Sequence, residues 1–209
     1  MATYVNNLRL TELATGEGAG TWGTTTISNL EFIGEALGFG TQAAFSSDAD
    51  VTTTVADGST DPARAMYFKV TSSGSLSTTR VLTIAPNTLS RVMSIENATS
   101  GSQSIQVSQG SGANVTIANG EAAIVYLDGA GSGAAVVDAN TALSTTKINT
   151  ATLAIGGTNV TSTAAELNLV DGSTADTVVN SKAVIYGSAG QITANELDVD
   201  NIQVDANAV

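Results

Sequence analysis

The sequence predicts a mainly β protein in three parts: a short N-terminal segment with one helix, a small β-sandwich or jelly-roll-like domain, and a repeat-containing fibrous stalk. Three observations predict it. First, Ile155-Gly-Gly-Thr158…Thr163-Ala-Ala-Glu-Leu-Asn-Leu169 returns at a fixed offset as Ile185-Tyr-Gly-Ser188…Thr193-Ala-Asn-Glu-Leu-Asp-Val199. A fixed period marks a repeated supersecondary unit, which buries its apolar face only against copies of itself. Second, residues 66–140 hold short alternating runs separated by Gly, Asn and Asp, the pattern of half-buried strands. Third, hydrophobic residues make up 42% of the chain but aromatics only 4%. Rings supply much of a core's area, so such a chain forms thin layers that gain cover by self-association.

Residues 1–45 form the first unit. Leu8, Leu10 and Leu13 alternate, and Gly16–Gly23 is a glycine-dense loop around the only tryptophan, Trp22. Ser28-x-x-Glu31 fits a capping box, with Ile27 and Phe32 placed as a hydrophobic staple. Leu30, Ile33 and Leu37 recur at helical spacing, and Gly38 fits a stop. Residues 46–65 read as a polar connector, with turn clusters around the β-prone run Val51–Val55.

Candidate strands in residues 66–140 are Met66–Val70, Val81–Ala85, Arg91–Glu96, Ser104–Ser108, Asn114–Ala118, Glu121–Leu127 and Ala134–Asp138. Asn119-Gly120 is a hairpin signal, because a type I′ turn needs positive φ at both positions. Even spacing of short strands suggests a sandwich or jelly roll. In residues 141–209, Thr163-x-x-Glu166 and Thr193-x-x-Glu196 fit capping boxes. The run 198–205 alternates like a strand, and a longer fibre is expected to continue beyond it.

Composition restricts the chemistry. Net charge is −12 with seven basic residues, which disfavours nucleic acid and anionic membranes as partners. The chain has no Cys and no His, so thiolate nucleophiles, disulfides, Cys/His zinc sites and imidazole acid–base catalysis are excluded. The opening residues lack the basic-then-apolar pattern of a secretory signal, and no apolar run is long enough to span a bilayer.

Gly18-Ala-Gly-Thr-Trp-Gly23 matches G-x-G-x-x-G literally, but a dinucleotide site needs a buried strand before it and a βαβ unit around it. The loop reads instead as a tight turn that lets Trp22 dock. Trp22 fits an ordinary core position and an interface anchor equally. Glu31 and Glu35 share a helix face and read as a solvated charge stripe rather than an acid–base pair. Asp48, Asp50, Asp57 and Asp61 do not follow calcium-loop spacing, and turn chemistry accounts for them. Asn97-Ala-Thr99, Asn114-Val-Thr116 and Asn159-Val-Thr161 are formal glycosylation sequons. No catalytic residue, metal ligand or cofactor site is expected.

Three segments carry a resemblance. Asn7-Leu-Arg-Leu10…Gly20-Thr-Trp-Gly-Thr-Thr-Thr26…Asn29-Leu-Glu-Phe-Ile-Gly-Glu-Ala-Leu37 resembles the N-terminus of tail-fibre and related virion fibre proteins of marine tailed phages. Ile95-Glu-Asn-Ala-Thr-Ser-Gly101…Ile105-Gln-Val107…Asn119-Gly-Glu121…Tyr126-Leu-Asp-Gly129 looks like a small β-domain that often follows it. Thr161-Ser-Thr-Ala-Ala-Glu-Leu-Asn168…Val170-Asp-Gly172 is similar to a repeat of phage fibre stalks. The resemblance implies a non-enzymatic homotrimer, assembled in the host cytoplasm and carried on the virion. Its N-terminal helical anchor would dock on tail, portal-proximal or capsid proteins, and a distal part not evident here would reach a host surface receptor. The docking residues would be Leu8, Leu10, Leu13, Trp22, Leu30, Ile33 and Leu37. The trimer interface would use Ile155, Leu167, Leu169, Ile185, Leu197 and Val199. Two alternatives stand beside the tail fibre: a capsid decoration or head-fibre protein, and a fibre-borne polysaccharide depolymerase. The second is disfavoured by the scarcity of aromatic platforms for sugars.

Overall fold

The computed structural model describes residues 1–140, 152–155 and 158–194. The chain divides into two compact units, Met1–Ser144 and Thr145–Val209.

The first unit opens with helix α1, Trp22–Ala36. It starts six residues before the expected capping box, with Thr21 as N-cap, so Ser28 and Glu31 lie inside the helix. The threonines it takes in bond back to the preceding turn: Thr25 Oγ1 donates to the Thr21 carbonyl (3.3 Å) and Thr26 Oγ1 to that of Trp22 (2.9 Å). The staple is not formed. Phe32 is buried, while Ile27 is exposed.

Nine strands follow: β1 Phe39–Phe45, β2 Val51–Thr54, β3 Tyr67–Ser72, β4 Arg80–Ala85, β5 Arg91–Asn97, β6 Ile105–Ser108, β7 Val115–Ile117, β8 Ala122–Leu127 and β9 Val136–Asp138. Up to β6 the chain alternates between two sheets. One has the order β1-β3-β5-β8-β9 and the other β2-β4-β6-β7. Each return to a sheet therefore runs in the same direction, so β1, β3 and β5 are mutually parallel, as are β2, β4 and β6. Antiparallel pairing begins only with β7, β8 and β9. This corrects the jelly-roll expectation, since that fold is built from antiparallel Greek keys. A two-residue alternation reports which face of a strand is buried, and carries no information on its partner's direction.

The sheets face each other across one core. Phe45, Phe68, Val70, Met93, Ile95, Val125 and Leu127 come from one side, and Leu82, Ile84, Ile105, Val107 and Ile117 from the other. Each such side chain contributes roughly 1.5–3 kcal/mol on full burial. Residues 39–65 belong to this body, although the sequence read 46–65 as a connector and assigned no strand to 39–45. Strand β2 is an edge of the smaller sheet, and a 3-10 turn at Pro62–Arg64 packs on β1. The packing is close: a Cβ on Gly40 would fall 2.1 Å from the Pro62 carbonyl oxygen, so only glycine fits there.

The Asn119-Gly120 turn is a second correction. It joins β7 to β8, which lie in different sheets, so it closes no hairpin. Only Gly120 has positive φ, at 81°. The turn is fixed by Asn119 Nδ2 donating to the Thr99 carbonyl (2.6 Å) and by the Gly120 N–H donating to that of Asn97 (2.8 Å). Asn97 is itself sealed in the core. Its Nδ2 donates to the Gln103 and Ile117 carbonyls, and its Oδ1 accepts from Thr99. The first sequon is therefore a buried hydrogen-bonding hub.

The second unit contains a hairpin, β10 Ala154–Ile155 with β11 Thr158–Asn159, and helix α2, Ala164–Val170. The first expected capping box is formed in full: Thr163 Oγ1 accepts from the Glu166 N–H (3.2 Å), and Glu166 Oε2 accepts from that of Thr163 (2.7 Å). Isolated bridges, Ala175 with Ile185 and Thr177 with Thr193, tie down the chain that follows. The second box, at Thr193 and Glu196, extends outside the described residues, as does the run 198–205.

Candidate functional site

One cation ties the N-terminal helix to the N-terminal segment and to the loop that follows β2. Arg64 has no exposed surface, and backbone and carboxylate oxygens surround it. Its Nη1 donates to Glu35 Oε2 (2.7 Å) and to the Ser59 carbonyl (2.8 Å), its Nη2 to the Ala56 carbonyl (2.6 Å), and its Nε to the Leu8 carbonyl (2.9 Å). The guanidinium also lies 4.6 Å from the centre of the Phe32 ring, a cation–π contact. Glu35 completes the junction by accepting from Thr60 Oγ1 and the Asp61 N–H. Burial raises the Glu35 carboxyl, but the bonds from Thr60, Arg64 and Asp61, with the charge of Arg64, outweigh this and hold it below its ordinary value. Glu35 is thus committed to fastening α1, while Glu31 is exposed.

The side of α1 that packs inward carries Phe32 and Ala36, together with Asn29, which exchanges hydrogen bonds with the Thr11 backbone. The face singled out by helical spacing points the other way. Trp22, Leu30 and Leu37 are 66%, 63% and 68% exposed, and Ile33 is 37% exposed. Trp22 therefore does not occupy a core position. Among the remaining expected docking residues, Leu13 is exposed and Leu8 and Leu10 are half-buried. The glycine loop shapes this end of the molecule. Gly18 and Gly20 have φ of 72° and 80°, and a Cβ on Gly18 would meet Leu13 Cδ1 at 2.8 Å. No sheet strand leads into this loop, only an isolated bridge between Thr3 and Glu12, so the dinucleotide motif lacks its structural context.

The four aspartates go to separate tasks. Asp48 pairs with Arg80 and Ser77, and those hydrogen bonds hold its carboxyl well below the usual range. Asp50 accepts from the Val81 N–H, Asp57 pairs with Arg9, and Asp61 caps the 3-10 turn. Among the described residues no group of three carboxylates is placed to hold a metal ion, and no helix is long and apolar enough to cross a membrane.

Sequence reasoning missed a cluster on the outer face of the larger sheet. Phe39 stacks on Tyr67 with ring centres 5.6 Å apart. Glu96 accepts from Tyr67 Oη (2.9 Å) and Lys69 Nζ (2.8 Å). The bond and charge of Lys69 lower the Glu96 carboxyl, and Glu96 in turn raises Lys69 and Tyr67. No sequence signal pointed to it, because only the parallel pairing of β3 with β5 sets Lys69 opposite Glu96.

The second unit is the other candidate surface. Ile155 is 70% exposed, Leu167 45% and Leu169 46%, and Ile185 is half-buried. No residue described in this unit is buried. Leu197 and Val199, the other expected interface residues, lie outside the described residues. Comparison with protein-family models, with curated proteins and with solved structures finds no match to this chain.

Proposed function

We propose that this chain is a non-enzymatic structural protein of a tailed-phage virion: a homotrimeric tail fibre. Its N-terminal part docks on the tail or portal assembly, and its stalk projects toward a host receptor bound by a more distal part. The observation that carries this reading is the second unit. It forms a capped helix and paired segments, yet every described apolar side chain remains at least partly in water. A unit of that kind gains its missing cover from copies of itself. The exposed tryptophan and leucines of α1, on a helix pinned by a buried Arg64–Glu35 pair, support a preformed N-terminal docking surface. Labelling the chain's N-terminus with gold and imaging purified particles tests the reading. Label at the tail is expected. Label on the capsid assigns the chain to a head fibre, and particles without label overturn the proposal.

A further inference from the structure

The first unit leaves one cation without a counter-charge. It carries five basic side chains, and four of them are paired: Arg9 with Asp57, Arg64 with Glu35, Lys69 with Glu96 and Arg80 with Asp48. Arg91, the first residue of β5, has no ion pair among the described residues. Its Nη1 is sealed from solvent and meets no hydrogen-bond acceptor among them, while its other two nitrogens reach solvent. Nearly all buried donors in folded proteins find an acceptor, and a chain with 19 acidic residues against seven basic ones has carboxylates to spare. Strand alternation puts Arg91 on the same side of β5 as the buried Met93 and Ile95, across from Leu127 of β8. The N-terminal segment passes close by: Asn7 Oδ1 accepts from the Ser90 N–H (3.0 Å), and the Leu8 carbonyl accepts from Arg64 Nε. Burial and the charge of Arg64 lower Arg91. Two guanidiniums thus share one end of the sandwich, and Glu35 answers only Arg64.

We infer that Arg91 is the receptor of an oxyanion site, which takes a carboxylate or phosphate group from outside the first unit. The inference goes beyond the fibre reading and does not depend on it. The class of ligand follows from the fork of the guanidinium. Its parallel N–H groups match two oxygens on one carbon or phosphorus, a geometry that a chloride ion cannot supply. An incoming oxyanion neutralises the surplus charge beside Arg64 and gives the solvent-facing nitrogens their acceptors. The net charge of −12 repels anions at long range, so the ligand is held by these short, directed bonds rather than by steering. A partly buried charge without a partner also destabilises a fold, and the ligand removes that cost.

Melting of the full chain tests the site, at one protein concentration and one ionic strength. Chloride is compared with inorganic phosphate or acetate at up to about 10 mM, low enough to keep general salt effects small. One or both anions are expected to raise the first unit's midpoint by about 3 °C, with saturation. Arg91→Met is expected to abolish the shift, and in chloride to melt no lower than the parent chain, because the uncompensated charge is gone. A shift with phosphate alone identifies a free tetrahedral anion as the ligand, and a shift with acetate identifies a carboxylate, the group a protein partner supplies. Equal shifts in the two chains are a general salt effect and overturn the site, as does no shift with either anion. Arg91→Met that melts as low as Arg64→Met gives Arg91 a structural partner within the fold and also overturns it. In the isotope-labelled parent chain, the Arg91 Nε–H resonance is expected to move as anion is added. That readout needs no folded variant, and a resonance that stays in place contradicts the inference.

Discussion

The two units spend similar side chains in opposite ways. In the first, Phe68, Val70, Ile95 and Leu127 have no exposed surface. In the second, Leu167, Leu169 and Val170 are about half exposed. The difference lies in layering, since apolar residues are present in both. Strands of up to seven residues build two sheets that close on one another, whereas two-residue strands and a seven-residue helix offer nothing to close against. A helix that short is marginal in water by itself. Self-sufficiency in the first unit and dependence on other copies in the second is the contrast to be tested.

The largest effect is expected in the core. Phe68→Ala removes a fully buried ring and costs about 4 kcal/mol, read as a lower unfolding midpoint of the first unit. Leu167→Ala, the matching truncation in the second unit, is expected to cost under about 1 kcal/mol in a single chain but to weaken the oligomer, which equilibrium sedimentation measures. Equal losses from the two substitutions break the contrast.

Arg64→Met is next, at about 3 kcal/mol, because it leaves buried carbonyls without donors and Glu35 without its cation. Thermal unfolding measures it, and loss of Trp22 anisotropy shows whether α1 detaches. Acid acts through the same junction. The carboxyl of Glu35 is lowered in the folded state, so its contribution is present above the unfolded value near ~4.3 and is lost as pH falls through the folded one. Glu35→Gln is expected to flatten the acid limb of the melting profile below about pH 4. The smallest effect belongs to Thr163→Ala, which removes the capping box of α2 and lowers helicity locally, as NMR shifts of Ala164–Val170 report, with no change in the first unit's melting.

The features legible in the sequence were the local ones. Every strand from Tyr67 to Asp138 lies within about two residues of its expected position, because alternating burial is written in neighbouring residues. The capping box at Thr163 and Glu166 was legible for the same reason. What escaped depends on distant partners. Strand β1 was hidden because Phe39-Gly-Thr-Gln-Ala-Ala-Phe45 alternates poorly and makes a bulge between Ala43 and Phe45. Strand direction is set by the alternation between sheets, and the packed side of α1 by Arg64, which reaches it from far along the chain. Helical spacing found the stripe at Leu30, Ile33 and Leu37 but could not say that Phe32 would take the inside.

Native mass measurement of the full chain at micromolar concentration tests the central claim most directly. Three copies of the 20.9 kDa chain are predicted, with Leu167→Asp shifting the population toward single chains. A single-chain mass that Leu167→Asp leaves unchanged, with Leu167 and Ile155 still open to solvent by hydroxyl-radical footprinting, would contradict it.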